Sequence, residues 1–178
     1  MLSLAGWLNP TRIIGLIAYL LSAISCGIAW AGSRGIPRRR KLATVLAVLE
    51  AGLFLDMAFS IRLLLHDMLA GDAKMENLYD HRTPLQSVAL GVLSAAAATG
   101  VGLAFQRLRG SAGGIMATCG AILSLCCWCA EVISLHAFDT VLYCQVGGVM
   151  LVSLCWVTCA LMTGLGILWD FRAARADA

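Results

Sequence analysis

Between Ile13 and Ala31 the chain reads IIGLIAYLLSAISCGIAWA, nineteen residues without a charge. A helical run of roughly 20 apolar residues is what crossing a hydrocarbon core takes. Four more apolar blocks follow: Leu42 to Leu65, Leu85 to Phe105, Ile115 to about Leu135, and about Val141 to Trp169. Within a bilayer each backbone N–H and C=O must be satisfied by the segment itself, so isolated blocks of this length fold as helices. The pattern predicts an all-α fold, a polytopic membrane helix bundle of five transmembrane helices forming one domain over residues 1–178. Composition agrees: 13% of residues are charged, against about a quarter in a soluble domain. The last block is too long for one straight span, so it must tilt, protrude or bend near Gly147-Gly148.

The connectors carry start and stop signals. Asn9-Pro10 and Thr83-Pro84 each place a capping side chain before a proline at the first helical position, and Thr83 with Gln86 has capping-box spacing. Gly32, Gly35 and Gly110 stand where helices should stop. Lysine and arginine are unevenly divided between the two ends. Arg34, Arg38, Arg39, Arg40, Lys41, Arg107, Arg109, Arg172 and Arg175 fall on one side, and Arg12, Arg62, Lys74 and Arg82 on the other. The positive-inside rule then predicts a cytoplasmic C-terminus and an N-terminus outside. Trp30 and Trp169 would mark the inner interface, and Trp7, Tyr79 and Tyr143 the outer one. A cleaved signal ending near Ala29-Trp30-Ala31 is the rival reading, but it would release RGIPRRRK on the outer side. The basic residues follow membrane sides and form no nucleic-acid patch. The expected location is a multi-pass position in a bacterial inner membrane.

The eight cysteines lie within or at the edge of apolar runs. Disulfide frameworks and zinc ribbons put theirs in polar loops, so these read as small packing residues between helices. Copper(I) binding or a redox pair is the alternative. Small residues four apart, Gly91/Ala95, Ala96/Gly100 and Ala160/Gly164, suit close helix approach.

Ionisable residues inside the spans demand a reason, because each costs about 2.5–3.5 kcal/mol near mid-bilayer. The second block carries Glu50, Asp56 and Arg62, and the fourth carries Glu131. At about 100° per residue the first three lie roughly 120° apart. No rotation of one continuous helix puts all three on one side, so the second span should be central in the bundle or wedged against a partner. Arg62 and Glu131 lie at similar depth and would relieve one another as an ion pair. Glu50 has no basic residue at its depth. It must be protonated, bonded to a hydroxyl or amide, or open to a water-filled crevice.

Beyond the spans, His66, Asp67, Asp72, Glu76, Tyr79, Asp80, His81, Arg82, His136 and Asp139 collect at the expected outer end. His66, His81 and His136 with Asp67, Asp139 or Glu131 would supply ligands for a transition metal, though no HExxH or EF-hand spacing occurs. His66 and His136, at the ends of two parallel spans, would suit the axial positions of a haem. The bland alternative is that these side chains are solvated and Asp139 caps the fifth span.

Three functional classes follow. The leading one is an accessory or assembly subunit of a membrane complex, in contact with lipid and with a membrane partner or a second copy of itself, because short connectors leave no soluble catalytic domain. The second is a metal- or haem-binding redox protein. The third is a proton- or cation-coupled transporter using Glu50, Asp56 and Glu131. No motif decides whether the chain is an enzyme.

Overall fold

The computed structural model describes residues 9–33, 35–75, 82–133 and 140–176. The chain runs α1 (Pro10–Gly32), α2 (Pro37–Phe59), α3 (Ile61–Met75), α4 (Arg82–Arg107), α5 (Ala112–Ile133), β1 (Gln145–Val146), β2 (Val149–Met150) and α6 (Leu151–Ala176). Helices α1, α2, α4, α5 and α6 are each long and apolar enough to cross a membrane. Cross-bundle contacts put Arg39 beside Asp170 and Arg62 beside Glu131, so successive spans alternate in direction. One end of the bundle collects the arginines at 38–40 and 107. The opposite end holds Arg12, Arg62 and the β-hairpin.

Helix starts follow the local chemistry. Asn9 caps α1, its side-chain oxygen accepting from the Thr11 N–H at 3.1 Å, with Pro10 in the first turn. At α4 the outcome differs from the expected capping box. The helix already begins at Arg82, which puts Thr83 inside its first turn, and the Gln86 side chain donates instead to the carbonyl of Ile133 at 2.9 Å. The last apolar block is broken where its glycines predicted a bend. Gly147 and Gly148, at φ 62° and 81°, form the tip of a two-residue hairpin pairing Val146 with Val149. A tip with positive φ at both positions matches the twist of the strands and favours glycine. The Met150 N–H then donates to Thr11 Oγ1 at 3.2 Å, tying the hairpin to the start of α1.

The central helix is α6, not the second span. Half of α6's membrane window is buried (50%), against 33% for α2 and 6% for α4. Helix α6 packs against both α1 and α5, α2 lies mainly against α1, and α4 lies mainly against α5. Helices α5 and α6 touch through backbone: a Cβ on Gly120 would stand 2.7 Å from Cys159 O and from Thr163 N. Of the spaced small residues, Ala160 and Gly164 are buried, with Gly164 against Ser22, whereas Gly91, Ala95 and Ala96 on α4 are exposed.

Helix α2 is therefore not shielded around its whole circumference by the chain itself. Val48 and Phe59 are 69% and 73% exposed. Its buried residues Ala43, Leu46, Glu50, Leu53, Asp56 and Met57 cover an arc of about 140° at about 100° per residue. Asp56 and Ala43 mark the two edges of that arc and Glu50 lies about 20° inside the second, so both acids face inward from a peripheral helix. Arg62 never shares the wheel, because the helix ends at Phe59.

Two apolar clusters fill the interior. One joins Cys26, Ala29, Ala43, Leu46, Ala117, Ala121 and Ile167. The other joins Tyr19, Leu53, Met57, Val152, Trp156 and Ala160. The partly buried Leu49 packs against both.

Candidate functional site

The break in the second block lies at Ser60, which has φ 58° and ψ 37° and ends α2 by donating its N–H to Asp56 O. A left-handed conformation is costly for a non-glycine residue, and a helix break exposes unsatisfied carbonyls and N–H groups. Here they find partners. Arg12 Nε and Nη2 donate to Met57 O and Ala58 O at 2.9 and 2.7 Å. Asp56 Oδ1 accepts the Arg62 N–H in the first turn of α3 at 2.7 Å.

The kink also turns Arg62 back into the bundle. Its Nη1 lies 3.0 Å from Glu131 Oε2, and its Nε lies 3.8 Å from Asp56 Oδ2. The guanidinium carbon stands 4.6 Å over the Trp156 ring, while Trp156 Nε1 donates to Glu131 Oε1 at 2.8 Å. Helices α3, α5 and α6 thus meet at Glu131, which is 8% exposed, and α2 joins them through the Asp56–Arg62 contact. One turn further along α3, His66 Nδ1 lies 3.1 Å from Val132 O. His66 and Gln86 together meet carbonyls in the last turn of α5.

The histidine and carboxylate ligands inferred from sequence are only partly within view. His66 bonds as described, and Asp67 is exposed on α3. His81, His136 and Asp139, with Trp7, Glu76, Tyr79 and Asp80, lie outside the described residues. Among the described residues no group of three or more His, Cys, Asp or Glu side chains is arranged to hold a metal ion. All eight cysteines are free thiols.

A second site lies at mid-height. The midpoints of the spans 10–32, 37–59, 112–133 and 151–173 are about residues 21, 48, 122 and 162. Ser22, Glu50, Ser124 and Thr163 each lie within two residues of those midpoints, one from each of α1, α2, α5 and α6. All four are buried, Glu50 completely (0% exposed). Ser22 and Thr163 are the hydroxyls beside the Glu50 carboxyl, and Ser124 neighbours Cys159 one turn before Thr163. Yet neither Glu50 oxygen, nor Ser22 Oγ, nor Ser124 Oγ has a hydrogen-bond partner. On every one of the four helices the polar residue falls between the two apolar clusters: Ser22 between Tyr19 and Cys26, Glu50 between Leu46 and Leu53, Ser124 between Ala121 and Cys127, and Thr163 between Ala160 and Ile167.

Two apolar grooves flank this layer. One, of about 460 Å³ between α1 and α6, has Ser22 and Gly164 in its wall. The other, of about 780 Å³ between α4, α5 and α6, is lined in part by Cys126, Cys127, Cys155 and Cys159.

Sequence reasoning missed several participants. Asp170 fell one residue past the boundary drawn at Trp169. It is buried, lies 3.4 Å from Arg39 Nε and accepts from Ser111 Oγ, whose oxygen also accepts the Gly114 N–H at 2.9 Å at the start of α5. Arg12 enters the sequence reading only in the count of basic residues, and Trp156 does not enter it. Ser22, Ser124 and Thr163 carry no pattern of their own. The signal that would have found them is their shared depth with Glu50.

These features define a class: a small multi-pass integral membrane protein with a neutralised carboxylate–arginine network at one end and an unpaired carboxyl at its middle. No protein-family model, curated protein or solved structure matches the chain.

Proposed function

We propose that the protein carries a proton or a small cation across the bilayer, with Glu50 as the group that takes it up and releases it. The observation that carries this reading is Glu50 itself, fully enclosed at mid-span with neither oxygen hydrogen-bonded. Ionisable residues at that depth mark ion and proton pathways. An enclosed carboxyl without a partner costs more than it contributes to packing. Asp56 and Glu131, by contrast, are occupied by Arg62, which supports a structural role for that pair. The reading keeps the arginine-rich end in the cytoplasm, as the charge bias implies, in a bacterial inner membrane.

The test uses proteoliposomes with a trapped pH-sensitive dye, pulsed with acid with and without external alkali cations. Wild-type protein is expected to pass protons or exchange them for the cation. Glu50→Gln is expected to slow the flux at least tenfold while preserving the circular-dichroism spectrum. Equal flux through wild type and variant, or wild-type flux no faster than in protein-free vesicles, rejects the reading.

A specific observation also favours the accessory-subunit reading. Gly91, Ala95, Ala98 and Gly102 are all exposed on α4, and a Cβ at Gly91 or Gly102 would meet nothing within 4 Å. Their alternating spacings of four and three residues match a helix–helix seam, open to a membrane partner or a second copy. Gly91→Leu with Gly102→Leu should abolish a cross-linkable complex in membranes. An unaltered cross-linking pattern would remove α4 as the interface.

A further inference from the structure

We infer that Glu50, Ser22, Thr163 and Ser124 form a binding site for one dehydrated alkali cation of sodium size. The inference rests on the reading of Glu50 as the ion-carrying group and names the ion it takes.

A proton would need only the carboxyl. The hydroxyls point further. Serines and threonines in helices commonly donate to the carbonyl four residues back, and in this chain Ser25, Thr44, Ser94, Thr118 and the buried Ser33 and Thr163 do so at 2.7–3.1 Å. Ser22 and Ser124 do not; both are buried, Ser22 beside Glu50 and Ser124 beside Cys159, and neither oxygen has a hydrogen bond of normal geometry. Among the described residues, the buried side-chain oxygens and nitrogens lacking a hydrogen bond are these two hydroxyls and the two Glu50 oxygens. All four atoms belong to residues within two positions of the midpoints of their spans. Thr163 spends its hydroxyl hydrogen on Cys159 O, which leaves its lone pairs free to accept. The layer therefore presents acceptor oxygens from four helices and no cationic side chain.

Charge and donor type narrow the ion. Oxygen-only donors suit hard cations. A single carboxylate balances one positive charge, and in a low-dielectric interior an unbalanced second charge is strongly disfavoured. The remaining carboxylates of the bundle interior are engaged by arginine, Asp56 and Glu131 by Arg62 and Asp170 by Arg39. A divalent ion thus finds no second counter-charge. Tyr19, Cys26 and Cys159 are titratable neighbours of Glu50, and neither a phenol nor thiols compete for a hard cation. Few oxygens, held by close-packed helices, suit sodium or lithium over potassium. The apolar clusters on either side seal the layer, and the groove between α1 and α6 that has Ser22 in its wall opens beside it.

The experiment follows thermal unfolding of the purified full chain in detergent by tryptophan fluorescence, at constant ionic strength, with NaCl, KCl or choline chloride. Sodium binding to the folded state alone raises the midpoint in a saturable way. The expected result is a rise of several degrees with NaCl, little with KCl or choline chloride, and loss of the sodium-specific rise in Glu50→Gln, Ser22→Ala and Ser124→Ala. Equilibrium dialysis of the wild-type protein with radioactive sodium, expected at one ion per chain, keeps the inference testable if a variant fails to fold. Equal rises with sodium and potassium, or a sodium rise that survives in both Glu50→Gln and Ser124→Ala, overturn it. No sodium effect together with Glu50-dependent proton flux overturns the cation site and leaves proton carriage standing. No sodium effect together with flux indifferent to Glu50→Gln removes both.

Discussion

Arg62→Met is expected to destabilise the folded protein by about 3–5 kcal/mol, the usual cost of breaking a buried ion pair from one side. Methionine fills a similar volume, so packing over Trp156 is largely kept and the loss is electrostatic. What remains is Glu131, 8% exposed, which keeps the Trp156 indole but loses the guanidinium that stood 3.0 Å from it. Asp56 loses its side-chain contact with Arg62 but keeps the backbone N–H of residue 62, so most of the cost falls on Glu131. The double variant Arg62→Met with Glu131→Gln removes both charges and is expected to recover much of the loss, giving a coupling on the order of 2 kcal/mol. Equilibrium unfolding in mixed micelles, followed by tryptophan fluorescence, measures both. A single-variant loss below about 1 kcal/mol would mean that the pair is solvated and not buried.

The other buried glutamate should behave oppositely. Glu50→Met in sodium-free buffer is expected to raise stability by about 1–3 kcal/mol, the scale of the desolvation cost of an unsatisfied buried polar group. Two isolated effects compete. Loss of a hydrogen bond would lower stability, but Glu50 has the Ser22 and Thr163 hydroxyls beside it without a bond of normal hydrogen-bond geometry to either oxygen. Removal of a desolvated carboxyl raises it, and methionine fills the space with a flexible apolar chain. The same variant should carry no ion flux, so stability and activity move in opposite directions. A fall in stability comparable to that of Arg62→Met would show that Glu50 is a bonded packing residue. Two glutamates of similar burial, with opposite responses, would thus separate a structural carboxylate from a working one.

Hydropathy made the five spans legible because length and polarity alone decide what crosses a bilayer. Depth counting brought Arg62 and Glu131 to the same level, and the structure holds them 3.0 Å apart. The helical wheel failed at one residue. It assumed continuous winding from Glu50 to Arg62, and Ser60 interrupts it with a left-handed turn that composition does not announce, although a serine ahead of IRLLLH fits a helix cap. That interruption is why α2 sits at the periphery and still hides its acids. Gly147-Gly148 was read as a bend in a helix when the pair between β-branched residues is also a hairpin signal. The mid-height layer was half visible: Glu50 stood out by charge, while Ser22, Ser124 and Thr163 looked like ordinary helix hydroxyls until four spans were stacked at one level.

The interior consists of two separate oily blocks, spanned by the partly buried Leu49, with wettable groups between them. Such a bundle has a waist. Close-packed interiors transmit displacement from end to end; on the transport reading, a polar layer at the middle would let one half loosen while the other stays packed. The same layer would give the chain two gates in series, without a hinge loop or a moving domain.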